Sequence, residues 1–297
     1  MNVGARVFDR SMTIQLSVPD ARSLDDVIRA VRGWQTERSP IQLHPGDLGW
    51  HVRFGAAETA AAVRVWAGES GILAVGFLDG PDLVRLTVDP ALRGEIAFAE
   101  RLADDLDRIL PAAGASVEAP QDAVLHEVLD ARGWRRGEAW TPLRRDLTGP
   151  VPPVSLRIET VGPGLAAARA GVHRTAFPRS TFTAERWRLM AAGSAYADAR
   201  CLLGFDAHGT AVAAITVWAA GRGRPGLIEP MGVHSDHRGR GYGTEITLAG
   251  AAALAELGAS SAIVATPSEN TGAVATYRAA GFEAQPERFD RTRADAG

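Results

Sequence analysis

The sequence predicts an α/β (α+β) protein built as two similar halves, and three observations carry that expectation. A proline-rich break, "TGPVPPV" at 148–154, removes backbone donors and opposes both helix and sheet. Strand-like and helix-like segments recur in the same order on either side of it. An Arg-Gly pair follows a matching strand in each half, and the spacing from Val88 to Arg93 equals that from Val233 to Arg238. The expected division is therefore a first domain at 1–148, a linker at 149–153 and a second domain at 154–297.

The elements follow in order. Each half opens on a short alternating strand, "TIQL" at 13–16 and "SLRI" at 155–158. A helical stretch comes next, around 24–34 and 165–177. Two apolar strands then pair through a polar turn: "AAVRVW" with "ILAVGFL" in the first half, and "CLLGFD" with "AVAAITVW" in the second. Gly209 supplies the positive φ that the second turn needs. A further strand leads to the Arg-Gly pair, "LVRLTVDPALRGEIAF" in one half and "LIEPMGVHSDHRGRGYG" in the other. After the second pair, Ile246, Ala249, Ala253 and Leu257 form one stripe of a helix over 244–257, stopped by Gly258. "SAIVAT" at 261–266 reads as a buried strand. A last helix over 271–280 stops at Gly281, as "LDARGW" stops its counterpart in the first half.

Composition narrows the function classes. A formal net charge of -3 argues against a generic nucleic-acid binder. Cys201 is the only cysteine, so no internal disulfide forms, and no Cys/His cluster has zinc spacing. The expectation is no metal and a reducing, cytoplasmic setting. The start, "MNVGARVFDRSMTIQL", has no apolar signal core. The longest apolar run, "LAGAAALAELGA", is interrupted by Glu256 and too short to span a bilayer, so no membrane partner is expected.

The glycine run "HRGRGYG" at 237–243 is the strongest chemical signal. It lies between a strand and a helix, where unpaired amides and the helix dipole favour an anion. A Walker loop would end in Gly-Lys-Ser/Thr, and lysine is missing here. A dinucleotide fingerprint starting at Gly239 would need glycine where Thr244 stands. The pattern met is R-x-x-G-x-G, by Arg238, Gly241 and Gly243.

That loop resembles the acetyl-coenzyme A loop of the GNAT superfamily of N-acetyltransferases. "NTGAVATYRAAGF" at 270–282 is similar to the family's second motif, N-x-x-A-x-x-x-Y-x-x-x-G-F, and "LIEPMGV" looks like the strand before the loop. The resemblance covers about 154–292. It implies tandem GNAT-like domains, each a mixed, mostly antiparallel sheet flanked by helices, in the manner of mycothiol-synthase-like proteins. It also implies acetyl-CoA as co-substrate and transfer of its acetyl group to a primary amine by direct attack.

By the same resemblance, Met231, Gly232 and Val233 pair with the pantetheine arm. The pyrophosphate meets Arg238, Gly239, Arg240, Gly241, Tyr242, Gly243 and Thr244. Asn270 caps its helix, contacts the coenzyme, or does both. Tyr277 is the general acid toward the sulfur, or else a core tyrosine. Glu229 is the candidate general base, since a carboxylate in an apolar strand is costly unless used or paired; the alternative is an ion pair with Arg222 or Arg224. His173, His234 and His237 are lesser candidates. Phe177, Phe182 and Trp187 either line the acceptor site or fill the core.

In the first half, Ile96 and Phe98 replace Gly241 and Gly243, Leu129 replaces Tyr277, and Asp122 replaces Asn270. The expectation there is a degenerate domain that has lost coenzyme binding. It would support the second half, wall its acceptor site, or bind something else. The expected partner is a small-molecule amine, with a monomer or a homodimer both open. A coenzyme sensor without turnover is the rival reading, and a longer acyl group also fits.

Overall fold

In the computed structural model, residues 13–294 are described. Residues 1–12, which bear on the expected lack of a leader, and 295–297 lie outside the described residues. The first half runs through β1 (Gln15–Ser17), α1 (Leu24–Gly33), α2 (Pro45–His51), a 3-10 turn (Val52–Phe54) and α3 (Ala56–Ala62). It continues with β2 (Val63–Gly68), β3 (Gly71–Leu78), β4 (Leu83–Val88), α4 (Ile96–Ile109), β5 (Ser116–Glu118), α5 (Leu125–Ala131) and β6 (Arg135–Asp146). The second half holds β7 (Arg157–Thr160), α6 (Ala166–Ala176), α7 (Ala184–Ala191), β8 (Ala199–Phe205), β9 (Ala211–Ala219) and β10 (Pro225–Val233). It ends with α8 (Tyr242–Glu256), β11 (Ser261–Pro267), α9 (Thr271–Ala279), β12 (Glu283–Ala284) and β13 (Arg288–Thr292).

Local chemistry accounts for the longer helices. Leu24, Val27, Ile28 and Val31 bury one stripe of α1, with Asp25 and Asp26 in its first turn and Arg32 in its last. In α4, Phe98, Ala99, Leu102, Ala103 and Leu106 form the equivalent stripe. α8 begins at Tyr242, two residues before the sequence-based start, because Gly241 (φ 83°) takes the left-handed conformation at its N-cap.

The two halves repeat one topology. β1 to β4 form an antiparallel meander and β4 runs parallel to β5, as Leu83↔Ser116 shows. β7 to β10 do the same, and β10 runs parallel to β11 at Pro225↔Ser261. The last strands are exchanged. β6, from the first half, lies antiparallel along the whole of β11, from Ser261↔Asp146 to Pro267↔Trp140. β13, from the second half, pairs with β5 at Arg291↔Val117 and with β6 at Arg288↔Trp140. The sheet is therefore continuous, β1-β2-β3-β4-β5-β13-β6-β11-β10-β9-β8-β7.

Each half has its own core, around Trp66 and Phe98 in one and around Ile215, Ile246 and Leu254 in the other. A third core joins them, with Leu43, Leu48 and Phe77 packed together with Phe182, Met190 and Trp218. α2 lies flush on Trp218. A Cβ added at Gly46 would come within 2.5 Å of Trp218 Cγ, and one at Gly49 within 2.5 Å of its Cζ3. His44 caps α2, its Nδ1 accepting from the Gly46 N–H at 3.0 Å, and its Nε2 lies 3.2 Å from the Pro225 carbonyl of β10. No helix among the described residues is long and apolar enough to cross a membrane.

Candidate active site

β10 is bulged midway. Ile228 pairs with Val217 and Met231 with Ile215, so three residues of β10 advance against two of β9. Its parallel pairing with β11 covers Pro225, Gly226 and Leu227. Beyond that point β10 and β11 diverge, which leaves Met231, Gly232 and Val233 beside an open groove.

The groove widens into a cleft of about 610 Å³. Its walls gather Met231, Gly232, Val233, Arg238, Gly239, Gly241, Tyr242, Gly243, Thr244 and Asn270, all expected at the coenzyme site. Gly239 (φ 75°) and Gly241 (φ 83°) take positive φ with open space where a Cβ would project. Gly243 has another reason to be glycine, since a Cβ there would sit 2.9 Å from Thr276 Cγ2 on α9. The first turn of α8 presents amides without helical partners toward the cleft. Arg238 donates to the Ala176 carbonyl at 2.8 Å, which fixes the end of α6 as the opposite wall. Asn270 caps α9, its Oδ1 accepting from the Ala273 N–H at 3.2 Å. Arg240 is exposed and is not among the residues that line the cleft. A splayed strand pair, a positive-φ glycine loop and a helix N-terminus suit an extended chain ending in a pyrophosphate.

Tyr277 is 6% exposed and stands behind that wall, packed on Phe282 with ring centroids 5.7 Å apart. Burial first, and the Glu229 carboxylate second, push its phenol above the ordinary tyrosine range. The phenol therefore feels Glu229 and stays protonated through neutral pH.

Glu229 opens on the other side of β10, into a pocket of about 180 Å³. Among the described residues it makes no ion pair with Arg222 or Arg224. Arg224 instead donates to the carbonyls of Arg32, Gly33 and Gln35. Burial raises the Glu229 pKa to about 7, with Asp47 and Asp79 adding to the rise and Arg85 and Arg53 opposing it. The Glu229 carbonyl accepts from Trp218 Nε1 at 2.7 Å, so the indole that α2 presses on also holds this strand.

The rest of that pocket comes from the first half: Asp47, Trp50, His51, Arg53, Phe77, Asp79 and Arg85. Sequence reasoning missed all seven. Arg85 donates to Asp47 at 2.8 Å and to Glu118 at 2.9 Å, and Glu118 also pairs with Arg288 of β13 at 2.9 Å. The available signal was charge inside apolar strands, Arg85 in "LVRLTV" and Glu118 in "SVE".

The other candidates separate. Phe182 and Trp187 are buried in the shared core, and Phe177 lines the cleft beside the glycine loop. His173 is buried against Trp50, Phe177 and Phe182, and burial followed by Arg169 lowers its pKa to about 3. His234 and His237 stack edge-on at 5.3 Å beside the loop. Cys201 is buried and free.

In the first half the two replacements separate, since Ile96, at the position of Gly241, is 59% exposed. Phe98 is fully buried, and Arg93 is 6% exposed, with its guanidinium on Asp122 at 2.9 Å and on Gln42 at 2.8 Å. Asp122 thus occupies the arginine that corresponds to Arg238.

Comparison with known proteins agrees with this geometry. Residues 168–282 match the model described as the Acetyltransferase (GNAT) family. No curated protein sequence matches the chain. A GCN5-related N-acetyltransferase from Sphaerobacter thermophilus aligns with a TM-score of 0.55 at 20% identity, over 96% of each chain. A tandem GNAT protein from the clavulanic acid biosynthesis pathway, solved without AcCoA, aligns at 0.53 and 20% identity, over 96% of this chain and 99% of its own. A GNAT-family acetyltransferase from Colwellia psychrerythraea aligns at 0.60 and 14% identity, over 95% of this chain and all of its own. Residues 168–282, which hold the cleft, the glycine loop and Asn270, thus match the GNAT acetyltransferase family, in a chain with the fold of a solved tandem GNAT protein.

Proposed function

We propose that the chain is an acetyl-CoA-dependent N-acetyltransferase with one working site, in the second half. Residues 154–297 carry the catalytic groups, 149–153 link, and 1–148 wall the acceptor pocket. The observation that carries this reading is Glu229. Its carboxylate, with a pKa of about 7, opens into a pocket two residues along β10 from the backbone that borders the coenzyme cleft.

Bound in the cleft, acetyl-CoA supplies an acetyl thioester. Met231, Gly232 and Val233 hold its extended arm through backbone groups, and the first turn of α8 with Arg238 holds the pyrophosphate. A backbone N–H near Val233 polarises the thioester oxygen. Glu229 takes the proton that the acceptor's ammonium must lose before attack. Tyr277, kept protonated by burial, returns a proton to the departing sulfur. The first half contributes walls that exclude water and orient the amine, which lowers the barrier by fixing the approach.

The test is thiol release from acetyl-CoA with a panel of primary amines, repeated with Tyr277→Phe. Turnover with at least one amine, falling about 10-fold or more in the variant, is expected. Tight coenzyme binding without turnover on any amine would instead favour a sensor.

A further inference from the structure

The Glu229 pocket has a charge pattern that the acetyl-transfer reading does not use. Arg53 and Arg186 approach each other from different halves, Arg53 from the turn after α2 and Arg186 from α7. Both guanidiniums lie over the Phe54 ring, with Cζ 4.3 Å and 4.8 Å from its centroid. Arg53 also stacks on Trp50 at 4.3 Å and donates to the Trp50 carbonyl at 2.8 Å. Arg186 donates to the carbonyl and hydroxyl of Thr181. Among the described residues neither arginine forms an ion pair.

Two like charges on one exposed ring repel each other, and burial of Arg53 adds to the cost. Burial first, with Arg186 opposing the help of Asp79 and Glu229, lowers the Arg53 pKa to about 10. Arg85 differs, since Asp47 and Glu118 neutralise it directly. That leaves Glu229 and Asp79 as the carboxylates of the pocket not bound closely by an arginine; Asp79 is 3.7 Å from Arg85 and 48% exposed. The pocket therefore has carboxylates at Glu229 and Asp79 and a guanidinium at Arg53, with Arg186 outside the lining but sharing the Phe54 ring with Arg53.

We infer that the acceptor is a small amine carrying its own negative group, a carboxylate or a phosphate, with the amine at Glu229 and the anion held by Arg53 and Arg186. Guanidinium forks suit both anions. This rests on the N-acetyltransferase reading for the amine end, and it gives the first half the role of selecting the substrate.

The test measures binding by calorimetry to the full chain loaded with coenzyme A, using three matched pairs: L-alanine and L-alaninamide, β-alanine and β-alaninamide, O-phosphoethanolamine and ethanolamine. Thiol release from acetyl-CoA is measured in parallel. At least one member with the anionic group is expected to bind 10-fold or more tightly than its partner without it, and the pair that does so separates carboxylate from phosphate. Arg53→Gln is expected to bring that ratio close to one. Arg186→Gln, outside the lining, is expected to cut it at least threefold. Equal or weaker binding of the members with the anionic group in all three pairs overturns the inference, as does a ratio unchanged in both variants or no measurable binding at tens of millimolar. Preferential binding without thiol release would uphold anion selection by Arg53 and Arg186 and count against the transferase reading. Turnover that prefers the members without the anion would overturn the anion selection and uphold the transferase reading.

Discussion

Glu229 and Tyr277 are the proposed base and acid, and burial acts on both in the same direction. Each is kept neutral further up the pH scale than in water. For Glu229 that puts the titration where it matters. Only the ionised form accepts a proton, so kcat/KM is predicted to fall about tenfold per pH unit below pH 7 and to level off above it. Tyr277 imposes no second limb in the neutral range because its phenol titrates higher still. Glu229→Gln is predicted to flatten the low-pH limb and lower kcat/KM by about 10²–10⁴. An unchanged limb in that variant would move the base elsewhere.

At the scale of elements, α2 is the part that aims the pocket. Its glycines bring backbone onto Trp218, and Trp218 holds the Glu229 carbonyl. Gly46→Ala would push a methyl into the indole, and overpacking of this kind costs about 1–3 kcal/mol. The predicted readout is a lower Tm together with a shifted low-pH limb; a wild-type Tm would mean the contact is looser than described. This element was also the least legible. "HPGDLGWH" combines Pro, Gly and His at low helix propensity, and only the capping by His44 and Asp47 with packing on Trp218 makes it helical. The glycine loop was legible because its signal is local: strand, positive-φ glycines, helix, then Asn270 on schedule. β6 was not, since "RRGEAWTPLRRD" becomes a strand through pairing with β11 and β13, partners distant in sequence.

For the whole molecule, exchanging the last strands makes the halves one folding unit. The repeat was readable from matched spacings, yet the exchange was not, because no residue of β6 or β13 records which sheet it will join. A single unfolding transition by calorimetry is predicted, with two separated transitions as the contrary outcome. Glu118 fastens the exchange, bridging Arg85 on β4 and Arg288 on β13. Burial opposes its ionisation, yet Arg288 and Arg85 hold its pKa down to about 2, from an unfolded value of 4.5. Its contribution is full above pH 4.5 and is lost as pH falls through 2, about 3 kcal/mol in all. Glu118→Gln should remove that pH dependence and destabilise by a similar or larger amount, since it strands Arg288.

The chain has two copies of the fold and one proposed donor site. Titrating acetyl-CoA into the full chain by calorimetry, with Gly241→Val in parallel, tests this most directly. The predicted result is one mole bound per mole of chain, with affinity reduced at least tenfold in the variant, whose side chain would have to adopt φ near 83°. Two moles bound, or unchanged affinity in the variant, would contradict it.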